Sequence, residues 1–246
     1  MATKAHHRFV QRIETYNNDL ELCDLLVRQF LAMPNSNTTV AALLSSTPQR
    51  HAHLGRTTNT KKSREVLGNH LKTTIHGSFI KDIFEDFSAF LSDTMTRAAM
   101  KGIDPDRFIG NVKIEIHVAD LLKTGNWDDA VKMISDALFR KLENERNTRD
   151  LITKASIRLD LQLNAATLDA AMPYLDARHM LVHQDGKADD KYRRDYVAVP
   201  LRNNKIMLDD AFVVEARRTV MELAAHFDQC VIQANLVRPQ DMHGGR

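Results

Sequence analysis

The stretch RHMLVHQDGK, residues 178–187, sets a guanidinium and two imidazoles among short apolar residues, with a glycine at residue 186. Arginine keeps its charge and presents a planar fork that fits phosphate oxygens. Histidine exchanges protons near neutral pH and serves as base or acid. Together Arg178, His179 and His183 could activate a ribose 2′-hydroxyl, hold the adjacent phosphate and stabilise the charge that develops in transfer. That route requires no metal. On a helix each residue turns the side chain by about 100°, so Val182, Leu175, His179 and His183 fall near 40°, 60°, 100° and 140° from Arg178. Tyr174, Ala177, Met180 and Leu181 lie on the other side, between about 200° and 320°. The second face belongs in the chain's own core. The first, with a Leu175–Val182 strip among polar groups, suits a groove or a subunit contact. The plainer alternative is a helix end whose cations favour its dipole.

Other chemistries have less behind them. His179 and His183 stand four apart, the spacing of two metal ligands on one helix face, but HMLVH lacks the glutamate of H-E-x-x-H. EIH at 115–117 could supply Glu115 or His117 as a third ligand, but nothing in the sequence brings either one near. RHAH at 50–53 and HH at 6–7 read as solvated surface histidines. Neither a Walker A sequence nor G-x-G-x-x-G occurs, so a nucleoside triphosphatase or dinucleotide enzyme has no support and no cofactor is expected. The segment PQRHAHLGRTTNTKKSR, residues 48–64, carries Arg50, Arg56, Lys61, Lys62 and Arg64 with no acid. It suits contact with a nucleic-acid backbone, and a solvated loop fits it equally well. Lys187 and Lys191, with Arg193 and Arg194, follow the motif but are interleaved with Asp189, Asp190 and Asp195, which dilutes their patch.

The elements that must position these residues read as helices. Residues 5–32 place Phe9, Ile13, Tyr16, Leu20 and Val27 at helical spacing, and 33–63 read as a loop. Ile80, Ile83, Phe84, Phe87, Leu91 and Met95 predict a long amphipathic helix over about 77–101, ending near Gly102. Asn126 is placed to cap the next helix, with Trp127, Val131, Ile134, Leu138 and Leu142 as its buried stripe. Helices are expected over about 148–160 and 165–171, and Pro173 is placed to open a fresh helix that Gly186 stops. Alternation around Asn203-Asn204 predicts a short β-hairpin with an edge strand at Pro200. A last helix over about 209–236 carries Phe212, Ala216, Val220, Leu223, Phe227 and Val231 on one face. The fold class is mainly α.

With 246 residues, 43% hydrophobic and 27% charged, the chain is long enough to bury a real core and too apolar for a disordered one. The net charge of +2 leaves any attraction for nucleic acid to local patches. Cys23 and Cys230 form no Cys-x-x-Cys pair, which argues against a thiolate zinc site and fits a reducing compartment. No apolar run reaches the length of a membrane span and no signal-peptide core opens the chain, so a cytoplasmic protein without membrane contact is expected.

RHMLVHQDGKADDKY resembles the signature of HEPN domains, in which an arginine and a histidine four to six residues later lie near a helix end. Arg178 and His183 match with four residues between them, followed by a polar turn and glycine. A looser likeness covers 77–236, with GSFIKDIFEDFSAFLSDTM before the motif and a long closing helix after it. The resemblance implies a HEPN-like helical domain over 77–236; outside it, an N-terminal helix and basic loop over 1–76 are expected to pack on that domain, with a tail over 237–246. It implies a homodimer that brings two motifs into one cleft, RNA as substrate, metal-independent cleavage, and a setting in antiviral defence or a toxin system with a regulatory or antitoxin partner. Arg178 is then the phosphate clamp and His183 the proton-transfer residue. His179 stands where the family often has asparagine, and members that only bind RNA or dimerise are the alternative.

Overall fold

Polar caps set the boundaries of the helices, and apolar stripes set which face of each is buried. The computed structural model describes residues 1–144 and 147–244. In chain order its helices are α1 (Lys4–Ala32), α2 (Val40–Leu43), α3 (Lys61–Gly102), α4 (Pro105–Ile109), α5 (Val118–Leu122), α6 (Trp127–Glu143), α7 (Thr148–Arg158), α8 (Ala165–His183), α9 (Asp190–Asp195) and α10 (Asp210–Gln233). An antiparallel pair, β1 (Leu201–Arg202) and β2 (Lys205–Ile206), sits between α9 and α10. The chain is mainly helical, and among the described residues no helix is long and apolar enough to cross a membrane.

Two compact units divide the chain. One comprises Met1–Ile13, Ile80–Met207 and Ala211–Arg246; the other comprises Glu14–Phe79 and Leu208–Asp210. In the larger unit Phe90 meets Phe9, Phe87 and Phe227 at ring separations of 5.8, 6.0 and 6.0 Å. The predicted α10 stripe is buried throughout, from Phe212 to Val231. Asp228, almost wholly buried, accepts bonds from the Thr3 amide and hydroxyl at 3.1 and 2.5 Å. Residues past α10 are held as well, because buried Asp241 pairs with Arg97 and Arg238. The histidines expected at the surface near the N-terminus are half-buried instead. His6 packs edge-on against Phe90, and His7 stacks on His243 at 3.5 Å.

In the smaller unit a β-carbon added to Gly68 would lie 3.1 Å from Val27 and 3.5 Å from Leu31, so the glycine lets the α3 backbone approach α1 closely. Lys72 bridges Asp24 at 2.8 Å and Asp210 at 2.6 Å. Arg64, counted above with the basic loop, is buried and bonded to Asn59, Asn35 and the Pro34 carbonyl. It holds the loop together rather than offering charge to a ligand.

Three local expectations need correcting. Helix α3 begins at Lys61, well before residue 77, because its first turns are packed through Gly68 and Lys72 rather than through an apolar stripe. Trp127 is 72% exposed at the first position of α6, one turn short of the buried Val131, Leu138 and Leu142. Pro173 does not open a helix but lies inside α8. Its ring costs the helix one backbone bond. Packing on both sides, by Ala171, Met172 and Leu175, overrides that local preference. By contrast the Asn126 cap bonds the Asp129 amide at 2.9 Å as expected. Asn203 and Asn204 take φ of 50° and 63°, the left-handed pair that a tight hairpin needs.

Burial pushes the His6 imidazole below its ordinary value of 6.5, with Asp228 opposing the shift and His7 adding to it. The folded chain therefore favours neutral His6, and the unfolded chain binds the proton first. Stability present above about pH 6.5 is lost as pH falls toward the depressed value. Melting temperature should fall between about pH 7 and 5, and His6→Asn should flatten part of that slope. An identical slope in the variant would remove His6 from the account.

Candidate functional site

Helix α8 carries the site, and three anchors fix it within the larger unit. At its start the Asn164 side chain caps the Ala166 amide at 2.8 Å, while the Asn164 amide donates to His226 Nε2 at 2.9 Å. In its middle the Tyr192 hydroxyl donates to the Pro173 carbonyl at 2.7 Å. Near its end Arg178 Nη2 donates to Glu85 Oε1 at 2.8 Å, and the guanidinium carbon lies 5.1 Å from the Phe84 ring centroid. The helix stops at His183. Asp185 and Gly186 adopt positive φ, and the Gly186 amide returns to the Met180 carbonyl at 2.9 Å.

These anchors sort the two faces of α8. Ala177 and Met180 are buried, as the helical angles predict. Leu175 is buried too, at 1% exposure, so it packs within the chain and forms no open strip with Val182. The angular sector that holds Leu175 is covered two turns before the helix end and open in the last turn. His179, Val182 and His183 are exposed there, with the imidazole centroids 4.8 Å apart.

Arg178 and His179 open onto a cavity of about 770 Å³. Helix α3 contributes Phe84 and Glu85 to its wall, α6 contributes Glu143, α9 contributes Lys191 and Tyr192, and Tyr196 follows at the end of α9. His183 stands beside His179 but does not line it. Asp176 accepts the Tyr196 hydroxyl at 2.5 Å inside the cavity. Burial, reinforced by that carboxylate, pushes the Tyr196 phenol well above its ordinary range. Burial does the same to Tyr192. Asp189 caps α9 by accepting from the Tyr192 amide at 2.7 Å. Lys191 pairs with Asp195 at 2.9 Å, which raises its ammonium pKa.

The cavity thus gathers four carboxylates (Glu85, Glu143, Asp176 and Asp189) against the cations Arg178 and Lys191. Lys187 lies exposed in the turn that follows α8. Arg50, Arg56, Lys61 and Lys62 are exposed on the smaller unit. Among the described residues no three His, Cys, Asp or Glu side chains are grouped as metal ligands, so neither Glu115 nor His117 completes a set with His179 and His183. Phe84 and Glu85, the pair that braces Arg178, escaped the sequence reading. Phe84 looks like any other member of the α3 stripe, and Glu85 like a solvated neighbour.

Two substitutions test this geometry. Tyr192→Phe should lower stability by about 1 kcal/mol in chemical denaturation, since it removes the hydrogen bond that ties α9 to the Pro173 carbonyl. Glu85→Gln should strengthen phosphate binding at Arg178 by roughly 3- to 10-fold in titration calorimetry, because the guanidinium then lacks a competing charge; unchanged affinity would exclude Arg178 as the anion contact. No protein-family model matches the chain, and no curated protein or solved structure matches it.

Proposed function

We propose that the chain is a metal-independent endoribonuclease whose active site is completed by a second copy meeting the open end of α8. The single observation that carries the reading is the last turn of this helix. It exposes two neighbouring imidazoles, one of them on the residue next to a guanidinium that lines the cavity. Arg178 holds the phosphate through its planar fork. His183 takes the proton from the 2′-hydroxyl as that oxygen attacks phosphorus, and an imidazole returns a proton to the departing 5′-oxygen. The products carry 2′,3′-cyclic phosphate and 5′-hydroxyl ends. His179, 4.8 Å from His183, is placed to donate to the charged phosphate or to exchange protons with its neighbour. Lys187 and Lys191 extend the anion path, and Arg50, Arg56, Lys61 and Lys62 offer backbone contacts for a longer RNA. A toxin or antiviral setting with an inhibitory partner belongs to the same reading.

A second reading, a non-catalytic HEPN-like module that binds RNA or dimerises, is favoured by one observation: Glu85 already neutralises Arg178, in a cavity richer in carboxylates than in cations. One labelled RNA under single-turnover conditions separates the two. His183→Ala should slow cleavage by about 100-fold or more with RNA binding mostly retained. Arg178→Lys should weaken both turnover and binding, since it keeps the charge and loses the fork. His179→Asn should be tolerated better than either. Chelator should leave the rate intact; loss restored by zinc or manganese would move the chemistry to a metal held by His179 and His183. Equal rates for His183→Ala and wild type would remove the catalytic assignment, and RNA binding without cleavage by any variant would favour the second reading.

A further inference from the structure

Surface helices commonly show single exposed apolar residues, but a cluster of them marks a contact. Helix α1 carries such a cluster within the smaller unit. Leu22, Leu25 and Leu26 are 56%, 57% and 54% exposed, at the i, i+3, i+4 spacing that puts them on one face. Taking Leu22 as zero, Thr15, Asn18, Leu26 and Gln29 fall within about 40° of it, and Leu25 lies near −60°. This face spans about 21 Å of helix from Thr15 to Gln29. Cys23 and Val27, on the other side of α1, are buried. The leucines are therefore an additional face and not the edge of the core.

The charges beside this face say what covers it. Glu21 and Arg28 lie on the same flank, near −100° and −120°. When two copies of such a helix pack antiparallel about a two-fold axis, residues on one flank meet residues on the same flank of the other copy. Setting Leu22 opposite Leu25 of the second copy brings Asn18 against Gln29. It also brings each Glu21 against an Arg28, twice over by symmetry. A parallel pairing would spend neither charge. Arg28 already bonds Asp24 at 2.8 Å, and its side chain is 73% exposed, so its fork has room for a second carboxylate.

We propose that the Leu22–Leu25–Leu26 face of α1 is an interface between two copies of this chain, packed antiparallel and registered by reciprocal Glu21–Arg28 pairs. The contact uses no residue of the α8 site and stands or falls independently of the nuclease reading. If both faces are used, each chain carries two self-complementary patches, and the assembly closes as a tetramer or extends into a fibre.

Sedimentation equilibrium on the full chain tests the register. Leu25→Glu should abolish the α1 contact. Glu21→Arg and Arg28→Glu should each weaken association by about tenfold, because each sets like charges face to face, while the double reversal should restore it. The pattern must persist in a Val182→Glu background, which removes the α8 pairing and so separates the two proposals. Circular dichroism checks that each variant folds; all four positions, Glu21, Leu25, Arg28 and Val182, are exposed, so it should show no change. A Val182→Glu protein that stays monomeric up to about 100 µM, well above the dissociation constants of typical specific interfaces, would overturn the interface. Single reversals without effect would overturn it too, as would a double reversal that fails to restore association.

Discussion

A guanidinium largely withdrawn from water keeps its place only beside a compensating charge. Arg178 finds that charge in Glu85 and finds its apolar support in the adjacent Phe84, so consecutive residues of α3 serve both halves of one side chain. The geometry of the cavity follows from this. Helix α8 must lie with its last turns against the Phe84–Glu85 edge of α3, and α9 must fold back until Tyr192 reaches the Pro173 carbonyl. His179 and His183 lie beyond the last anchor, and both imidazoles are exposed.

The same carboxylate that positions Arg178 also competes with any anion that would use it. A phosphate arriving at the cavity must exchange with Glu85 rather than meet a bare cation, and it must do so near Glu143, Asp176 and Asp189. Such an arrangement penalises loosely placed anions and rewards a ligand that brings further contacts of its own. On the nuclease reading proposed above, polymeric RNA that reaches further lysines and arginines would meet that condition better than free phosphate.

What the sequence made legible was local. The stripes of α3 and α10, the Asn126 cap and the Asn203-Asn204 turn each depend on residues within a few positions of one another, and period and cap chemistry reveal them. The misreadings share an opposite origin. Pro173 sits mid-helix because residues on either side of it are buried by distant elements, and the early turns of α3 are held by contacts from another helix. Leu175 lies in the angular sector of the open strip, but packing ends between it and Val182, and helical angles carry no record of where a neighbour stops. The candidate site was half visible for the same reason. Its helix end was written in ten consecutive residues, while the Glu85 that braces Arg178 lies 93 positions away.

Trp127 is the chain's single tryptophan, and it stands in water at the start of α6. Its indole in the folded protein is therefore already in the environment that unfolding would give it. Intrinsic fluorescence will follow the loss of the core poorly, and backbone dichroism is the better probe of that transition. The same exposure makes the emission a selective reporter in the other direction. A blue shift on adding RNA, or on raising protein concentration, would signal that something has covered the first turn of α6, against almost no background from the interior.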